Sequence, residues 1–155
     1  MDGEEIGLLL RQERGQFLEF LSAYEHKKGG SQKKRAEELD RDIARSIAGM
    51  ANADGGILLV GVEPDKSVTG IAHSPEEVQA LIQAPQALLT PPLNPACQRA
   101  HLGNLLLLKF EVTPSSEVHR VTGGRAFYRI GTENPALPPE QIQSLKESKI
   151  GRAHV

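Results

Sequence analysis

The segment "ANADGGILLVGV", residues 51–62, constrains the fold of this chain more than any other stretch of its sequence. It joins an amphipathic helical pattern to the most apolar run in the first half of the chain. Four turn-forming residues stand at the junction: Asn52, Asp54, Gly55 and Gly56. Since Asn and Gly tolerate the left-handed backbone conformation common at helix ends, the segment predicts a helix end and then a buried strand, "ILLVGV".

The two glycines of this segment have two explanations. They can serve as turn residues only, or they can allow another backbone or a phosphate to approach closely. A P-loop ends in Gly-Lys-Ser and opens a helix, whereas Gly55 and Gly56 lack that ending and precede a strand. The favoured interpretation is therefore a helix cap joined to a tight turn.

Helices are predicted on both sides of this strand. In residues 34–50 the apolar side chains follow the three-and-four spacing of one helical face: Ala36, Leu39, Ile43, Ile47 and Met50. After the strand, Ser74, Pro75 and Glu77 form a helix-start signature in which the serine caps the helix and the glutamate reaches back.

The second half of the chain contains two hairpin signals. Gly103 and Asn104 separate "ACQRAHL" from "LLLLKFEV", and Gly123 and Gly124 precede a predicted strand at residues 126–130. Further helices are predicted near both ends of the chain. Because strands and helices do not alternate regularly, the order predicts an α+β fold with a mixed β-sheet and packed helices.

Composition limits the classes of function. The 155 residues fit a single domain, and the lone Cys97 excludes an internal disulfide or a cysteine-cluster metal site. The net charge of −2 does not predict polyanion binding, so any such binding requires local patches of basic residues. The acidic N-terminus and the lack of a long apolar run predict a cytoplasmic protein without membrane contact.

Two pairs of carboxylates flank predicted strands. Glu13 precedes and Glu19 lies in the first strand-like segment, "GQFLEFL", and Glu63 and Asp65 follow "ILLVGV". Acids at the ends of adjacent strands could hold a divalent ion, which prefers oxygen ligands. The favoured alternative is that these are ordinary solvated charges at strand ends.

The basic residues form two groups, each of which could neutralise phosphates. The first occupies segment 25–35, which its two glycines and its polarity predict to be a mobile loop: Lys27, Lys28, Lys33, Lys34 and Arg35. The second surrounds the Gly123 hairpin: Arg120, Arg125 and Arg129. Because ordering a loop consumes binding energy, Arg125 and Arg129 are expected to contribute more than the lysines.

With these segments placed, the chain resembles the Schlafen AlbA-like domain family, once described as a divergent AAA-type domain. The matching segments are "FLEF", "IARSIAGMANADGGILLVGVEPDKSVTGI" and "GGRAFYRIGTENPAL", and the resemblance covers about residues 10–147. In the family pattern the helix ends in Ala-Asn and the strand enters the centre of the sheet. Asn52 and Asp54 are then expected to bond local backbone and to hold the site in shape.

The resemblance implies a nucleic-acid-binding regulatory module. In prokaryotes this domain commonly accompanies a winged-helix DNA-binding region in transcriptional regulators, so this chain is expected to be either a single-domain member of the family or a part of a longer regulator from which a C-terminal partner domain is missing. DNA and RNA both remain open as partners, and a homodimer is a further expectation. Apart from a divalent metal under a nuclease hypothesis, no cofactor is expected.

Two other functions remain as alternatives. Eukaryotic relatives resemble metal-dependent endoribonucleases with a carboxylate trio, which would here be Glu13, Glu19 and Asp65. Glu13 lies six residues before Glu19, where five is the family interval, and Leu21 replaces the usual lysine. The second alternative is a nucleotide-sensing domain, which the older family name suggests and the missing P-loop disfavours.

Overall fold

The computed structural model describes residues 3–153 and has four helices and eight strands within that range. The helices are α1 (Gly3–Leu10), α2 (Ala36–Asn52), α3 (Pro75–Leu88) and α4 (Pro139–Ala153). The strands are β1 (Leu18–Leu21), β2 (Tyr24–Lys27), β3 (Gly30–Lys33), β4 (Gly56–Val60), β5 (Leu89–Thr90), β6 (Ala96–Leu102), β7 (Leu105–Val112) and β8 (Arg120–Val121).

The central sheet has the strand order β1-β4-β7-β6. Strand β4 is parallel to β1 and antiparallel to β7, and β6 pairs with β7 on the other side in an antiparallel hairpin. Leu58, Leu59 and Val60 of β4 are fully buried. The prediction of a mixed sheet in an α+β fold, with "ILLVGV" as an interior strand, is confirmed.

Helices cover both faces of this sheet. On one face, Leu39, Ile43 and Ile47 of α2 belong to a core cluster that also contains side chains of α3 and of β4. On the other face, Ile6 and Leu9 of α1 pack in a second cluster. The sheet is therefore the middle layer of a sandwich, which explains why β4 is apolar on both of its faces.

The start of α3 agrees with its sequence signature. The Ser74 hydroxyl accepts a hydrogen bond from the Glu77 backbone N–H, and the Glu77 carboxylate accepts one from the Ser74 backbone N–H. This reciprocal capping box satisfies two backbone donors that the helix itself leaves unpaired.

The lysine-rich segment 25–35 is not a mobile loop, so that prediction is wrong. Strands β2 and β3 form an antiparallel hairpin in which Lys27 pairs with Gly30. Gly29 closes the turn at a φ of 98°, a conformation that glycine adopts without steric cost. The exposed polar side chains of β3 need no core, because hydrogen bonds to β2 fix this strand.

The predicted strand at residues 126–130 is also absent. Short β8 ends at Val121, and the segment after Gly124 has only isolated bridges, such as Phe127 with Ala136. A side chain from elsewhere supplies backbone partners here: the Asn52 amide donates to the carbonyls of His119 and Phe127. Side-chain contacts of this kind replace a strand ladder, and hydrophobic patterning does not reveal them.

Asn52 and Asp54 differ from their predicted role as local capping residues. Asn52 is buried and bonds the backbone of residues 119 and 127, far along the chain, including acceptance from the His119 N–H at 2.7 Å. The Asp54 carboxylate accepts from the Gln16 amide at 3.2 Å. The two residues therefore join the end of α2 to distant segments.

The two glycines of the opening segment allow other backbone to approach closely. A Cβ on Gly55 would lie 2.6 Å from the Val112 carbonyl oxygen, and one on Gly56 would lie 2.8 Å from that of Phe17. Both φ angles are positive, at 77° and 149°. The prediction of a turn holds. Glycine is required at both positions because two neighbouring chain segments pass close to the turn and because both φ angles are positive.

Candidate functional site

The carboxylate of Glu19 lies at the centre of a polar cluster beside the sheet. Its Oε1 accepts hydrogen bonds from Arg129 Nη1 and, at 2.8 Å, from Asn134 Nδ2. Its Oε2 accepts from the Ser46 hydroxyl on α2. This cluster joins β1, α2 and the segment after Gly124 through one carboxylate.

Arg129 is the buried cation of this cluster. Only 1% of it is exposed, and it also donates to the Gly15 carbonyl at 2.8 Å and the Leu18 carbonyl at 3.2 Å. Burial lowers the pKa of the Arg129 guanidinium, and the charge of Glu19 opposes that effect. The prediction that Arg129 contacts nucleic acid is wrong for this structure, because its donors are directed into the protein.

A cavity of about 390 Å³ adjoins the cluster. Glu19, Ser46 and Asn134 line it together with two exposed arginines, Arg14 and Arg45. Arg45 lies over the ring of Phe127 at 5.3 Å, a cation–π contact that restricts its position. The guanidinium groups of Arg14 and Arg45 are the groups of this cavity that could bind an anion such as phosphate.

Sequence reasoning did not identify several residues of this cavity. Ser46 was placed only in a helix, and Asn134 only in the matching segment "GGRAFYRIGTENPAL". One indirect signal is Gly49 on α2, because a Cβ there would collide with the side chain of Asn134. A glycine inside a helix otherwise lowers stability, so it can mark a close contact.

The proposed carboxylate trio does not assemble into one site. Side-chain exposure of Glu13 is 88%, and it forms an ion pair with Lys66 at 3.0 Å. Asp65 accepts a hydrogen bond from the Ser67 backbone N–H at 2.9 Å, and the side chain and backbone of Ser67 lower the pKa of Asp65. Among the residues that the structure describes, no group of three or more His, Cys, Asp or Glu could hold a metal ion.

The donor chemistry of Glu19 also does not fit a metal ligand. Both of its oxygens already accept hydrogen bonds, and one faces the guanidinium of Arg129. A divalent cation in the same place would lie beside a buried positive charge, which opposes its binding. A metal site on this carboxylate would require the cluster to rearrange.

Glu63 forms a second buried carboxylate cluster after β4. It is 7% exposed and accepts hydrogen bonds from the hydroxyls of Ser22 at 2.5 Å and Thr69 at 2.6 Å. His26 Nε2 lies 2.5 Å from its other oxygen. Sequence reasoning placed Glu63 at the end of the strand but not its three partners, which come from separate segments.

The β2–β3 hairpin presents three exposed lysines: Lys27, Lys28 and Lys33. Lys27 has a weak contact with Glu25 at 3.5 Å, and within the described residues the structure shows no ion pair for Lys28 or Lys33. Arg35 is exposed next to the hairpin, 3.9 Å from Glu37. We call Lys27, Lys28, Lys33 and Arg35 the hairpin cation surface.

Lys34 is half-buried and does not belong to this surface. Its ammonium group pairs with Asp42 on α2 at 3.0 Å, and its side chain is only 14% exposed. Its backbone carbonyl accepts a hydrogen bond from His73 Nε2 at 2.8 Å. The predicted role of Lys34 in nucleic-acid binding is therefore replaced by a role in fixing the hairpin to α2.

Two further arginines are exposed here, Arg120 as the first residue of β8 and Arg125 in the segment that follows it. The Arg125 carbonyl accepts a hydrogen bond from the Val121 N–H at 3.0 Å, which closes the turn around Gly123. The structure therefore divides the second basic group, because Arg120 and Arg125 lie at the surface and Arg129 is buried.

Comparisons with known proteins locate this architecture among solved structures. The DIP2311 protein from Corynebacterium diphtheriae superposes with a TM-score of 0.68 at 18% identity, over 94% of this chain and 28% of that protein. The N-terminal domain of a putative ATP-dependent DNA helicase RecG-related protein from Nitrosomonas europaea superposes with a TM-score of 0.51 at 20% identity, over 85% and 90%. At these identities the likeness shows the fold.

The chain spans about a quarter of the length of the DIP2311 protein. None of the curated proteins matches the chain. Over residues 3–153, the helices are too short or too polar to cross a bilayer. The family model described as Schlafen, AlbA_2 matches residues 16–138, and the chain therefore belongs to the Schlafen AlbA_2 family.

Proposed function

We propose that this chain is a nucleic-acid-binding regulatory module that contacts phosphates through the hairpin cation surface. The observation that carries the proposal is the presentation of Lys27, Lys28 and Lys33 on an ordered hairpin. Family membership is in line with it, as is the fold shared with a protein described as related to a DNA helicase.

The order of the hairpin matters for the energetics of binding. His26 joins β2 to Glu63 at 2.5 Å, and Lys34 joins the end of β3 to Asp42 at 3.0 Å. Lysines on a fixed hairpin lose less conformational entropy on binding than lysines on a mobile loop. This reverses the expectation that the arginines near Gly123 contribute more than the lysines.

Electrostatics should dominate this binding. The net charge of the chain is −2, so the attraction has to come from a local patch and should fall steeply with salt. Aromatic residues make up only 4% of the chain, which leaves few faces on which bases can stack. We therefore expect weak sequence preference.

A salt-titrated binding assay with duplex DNA, single strands and tRNA tests the proposal. The variant Lys28→Gln with Lys33→Gln should lower the salt slope by about one unit for each lost phosphate contact. Arg120→Gln with Arg125→Gln removes the same charge elsewhere and is the matched control, with a smaller expected effect. An unchanged slope in the lysine variant would reject the hairpin as the contact surface.

Three finer proposals accompany the main one. The module acts in the cytoplasm, it takes part in transcriptional regulation, and it forms a homodimer. Sedimentation of the free chain and of its nucleic-acid complex tests the dimer directly. The endoribonuclease remains a weaker proposal, because the carboxylates it requires are engaged by Arg129, Lys66 and Ser67.

A further inference from the structure

A chain of three side chains crosses the hairpin from its exposed face to the protein interior. Ser31 Oγ on β3 lies 2.6 Å from His26 Nδ1 on β2, and His26 Nε2 lies 2.5 Å from Glu63 Oε1. His26 and Ser31 are direct cross-strand partners in the β2–β3 register. The hairpin therefore fixes a hydroxyl, an imidazole and a carboxylate in series.

Glu63 is held firmly at the inner end of this series. Burial acts to raise its pKa, but hydrogen bonds from Ser22, Thr69 and His26 outweigh it, so the pKa of Glu63 lies below its ordinary value. The carboxylate is thus ionised at neutral pH and acts only as an acceptor. Ser22 and Thr69 both donate to Oε2, which leaves Oε1 directed at the imidazole.

This arrangement decides which imidazole nitrogen carries the proton. A carboxylate at Nε2 requires an N–H there, because two acceptors cannot form a hydrogen bond with each other. In neutral His26 the lone pair is then on Nδ1, and it is directed at the Ser31 hydroxyl. A hydroxyl, a base that accepts its proton and a carboxylate that orients the base together form the pattern of an activated serine nucleophile.

The outer end of the series opens to solvent beside a cavity of about 300 Å³. Ser31 lines it with Lys27, Lys28, Gly29, Gly30 and Gln32. We propose that Ser31 is a nucleophile for acyl transfer from anionic esters, with His26 as its general base and Glu63 as a positioning residue. The two lysines favour a negatively charged substrate and the negative oxygen that forms during attack.

The proposed reaction needs no cofactor. Ser31 Oγ forms a bond to the acyl carbon as its proton passes to His26 Nδ1, and the ester C–O bond breaks when the alkoxide takes that proton. His26 then accepts a proton from water as the water oxygen bonds to the acyl carbon, and it passes that proton to Ser31 Oγ as the acyl–serine bond breaks, which releases the carboxylic acid and free Ser31. This activity goes beyond nucleic-acid binding, and it is measured with no nucleic acid present.

A biotinylated fluorophosphonate tests the nucleophile. Attack by Ser31 forms an O–P bond, displaces fluoride and passes the serine proton to His26. We expect a single modified serine, identified as Ser31 by peptide mass spectrometry, and no labelling in Ser31→Ala. His26→Gln should react about 100-fold more slowly, which is the size of a typical general-base contribution.

The matched control is Ser116→Ala, because Ser116 is also exposed but has no histidine partner among the described residues. This variant should label at the wild-type rate. Thermal melting of every variant separates lost reactivity from lost folding. Absence of labelling in the folded wild-type chain, or equal labelling in His26→Gln, would overturn the assignment of Ser31.

Two further readouts address Glu63 and the substrate class. The ¹⁵N chemical shifts of the His26 ring should show the proton on Nε2 in the wild-type chain. If Glu63→Gln loses this tautomer preference and is labelled more slowly, Glu63 acts by positioning His26. An unchanged tautomer and rate would remove Glu63 from the proposal. The kcat/KM for 4-nitrophenyl succinate should exceed that for 4-nitrophenyl acetate, and equal values would refute the preference for anionic esters.

Discussion

Arg129 forms a buried ion pair with Glu19, which lies 110 residues earlier in the chain. The pair connects the first strand of the sheet to an irregular segment whose backbone is held by isolated bridges and single hydrogen bonds instead of a strand ladder. When one partner of such a pair is removed, the other is left in the protein as a charge without a counter-charge. The ion pair is therefore one of the contacts that attach the segment after Gly124 to the rest of the fold, beside the hydrogen bond from Asn134 to Glu19 and the one from the Arg129 N–H to the Gly49 carbonyl.

Replacement of Arg129 by Met should destabilise the fold by about 3–5 kcal/mol, because it leaves the Glu19 carboxylate partly buried without its cation. Urea unfolding monitored by circular dichroism measures the change. The double variant with Glu19→Gln should recover part of the loss, since no charge is then left unpaired. A loss below about 1 kcal/mol in the single variant would mean that water replaces Arg129.

Ile43→Asp should unfold the domain. Ile43 is fully buried between α2 and the sheet, and an unpaired buried charge commonly costs more than about 3 kcal/mol. Arg41→Ala, on the exposed face of the same helix, should change stability by less than about 0.5 kcal/mol. A soluble Ile43→Asp variant with an unchanged melting temperature would contradict the packing of α2.

Gly55 and Gly123 separate two contributions to the requirement for glycine. Their φ angles are nearly equal, at 77° and 75°, but only at Gly55 would a Cβ meet backbone, 2.6 Å from the Val112 carbonyl oxygen. Gly123→Ala should cost about 1–2 kcal/mol from the left-handed conformation alone. Gly55→Ala should cost about 1–3 kcal/mol more because of the collision, and equal losses in urea unfolding would show that the neighbouring strand gives way.

The sequence allowed prediction of the parts of the fold that rest on local patterning. The amphipathic spacing of α2, the capping box at Ser74 and the turn at Gly103 each depend on neighbouring residues, and each is present in the structure. The hairpin at Gly29 was missed because its strands are polar on both faces. Period-two alternation of apolar residues, which identifies half-buried strands, is absent there.

Prediction was weaker for the candidate site, since its contacts are long-range. Glu19 was identified, but its partners Ser46, Arg129 and Asn134 lie 27, 110 and 115 residues away. Proximity in sequence placed Arg129 with Arg125 in a surface group, although Arg125 is exposed and Arg129 is buried. Whether an arginine binds phosphate or an internal carboxylate depends on the tertiary structure.

The low pKa of Glu63 predicts a loss of stability in acid. Burial alone would raise this pKa, yet the hydrogen bonds from Ser22, Thr69 and His26 lower it below 4.5. The unfolded chain then binds more protons than the folded chain as the pH falls, so this stabilisation is present above the ordinary glutamate pKa and is lost as the pH falls through the lowered pKa of Glu63 in the folded chain.

Urea unfolding at about pH 7 and at about pH 4 measures this effect in the range where such carboxylates titrate. In Glu63→Gln, which cannot ionise at that position, the difference in unfolding free energy between the two pH values should be smaller than in the wild-type chain. Asp54→Asn is a control carboxylate at an exposed position. The same pH dependence in Glu63→Gln and wild type would show that other groups cause the acid sensitivity.

Incubation with tRNA and manganese should give little or no cleavage. A nuclease centre on Glu13, Glu19 and Asp65 would need carboxylates free to bind a cation that activates water. In the structure Arg129 donates to the Glu19 carboxylate, Lys66 forms an ion pair with Glu13, and the Ser67 backbone N–H donates to Asp65. Two of the three acids therefore already pair with a protein cation, and the third accepts a backbone hydrogen bond. Metal-dependent cleavage that disappears in both Glu19→Gln and Asp65→Asn, but persists in Asp54→Asn, would show that these contacts open in the presence of substrate and would favour the endoribonuclease.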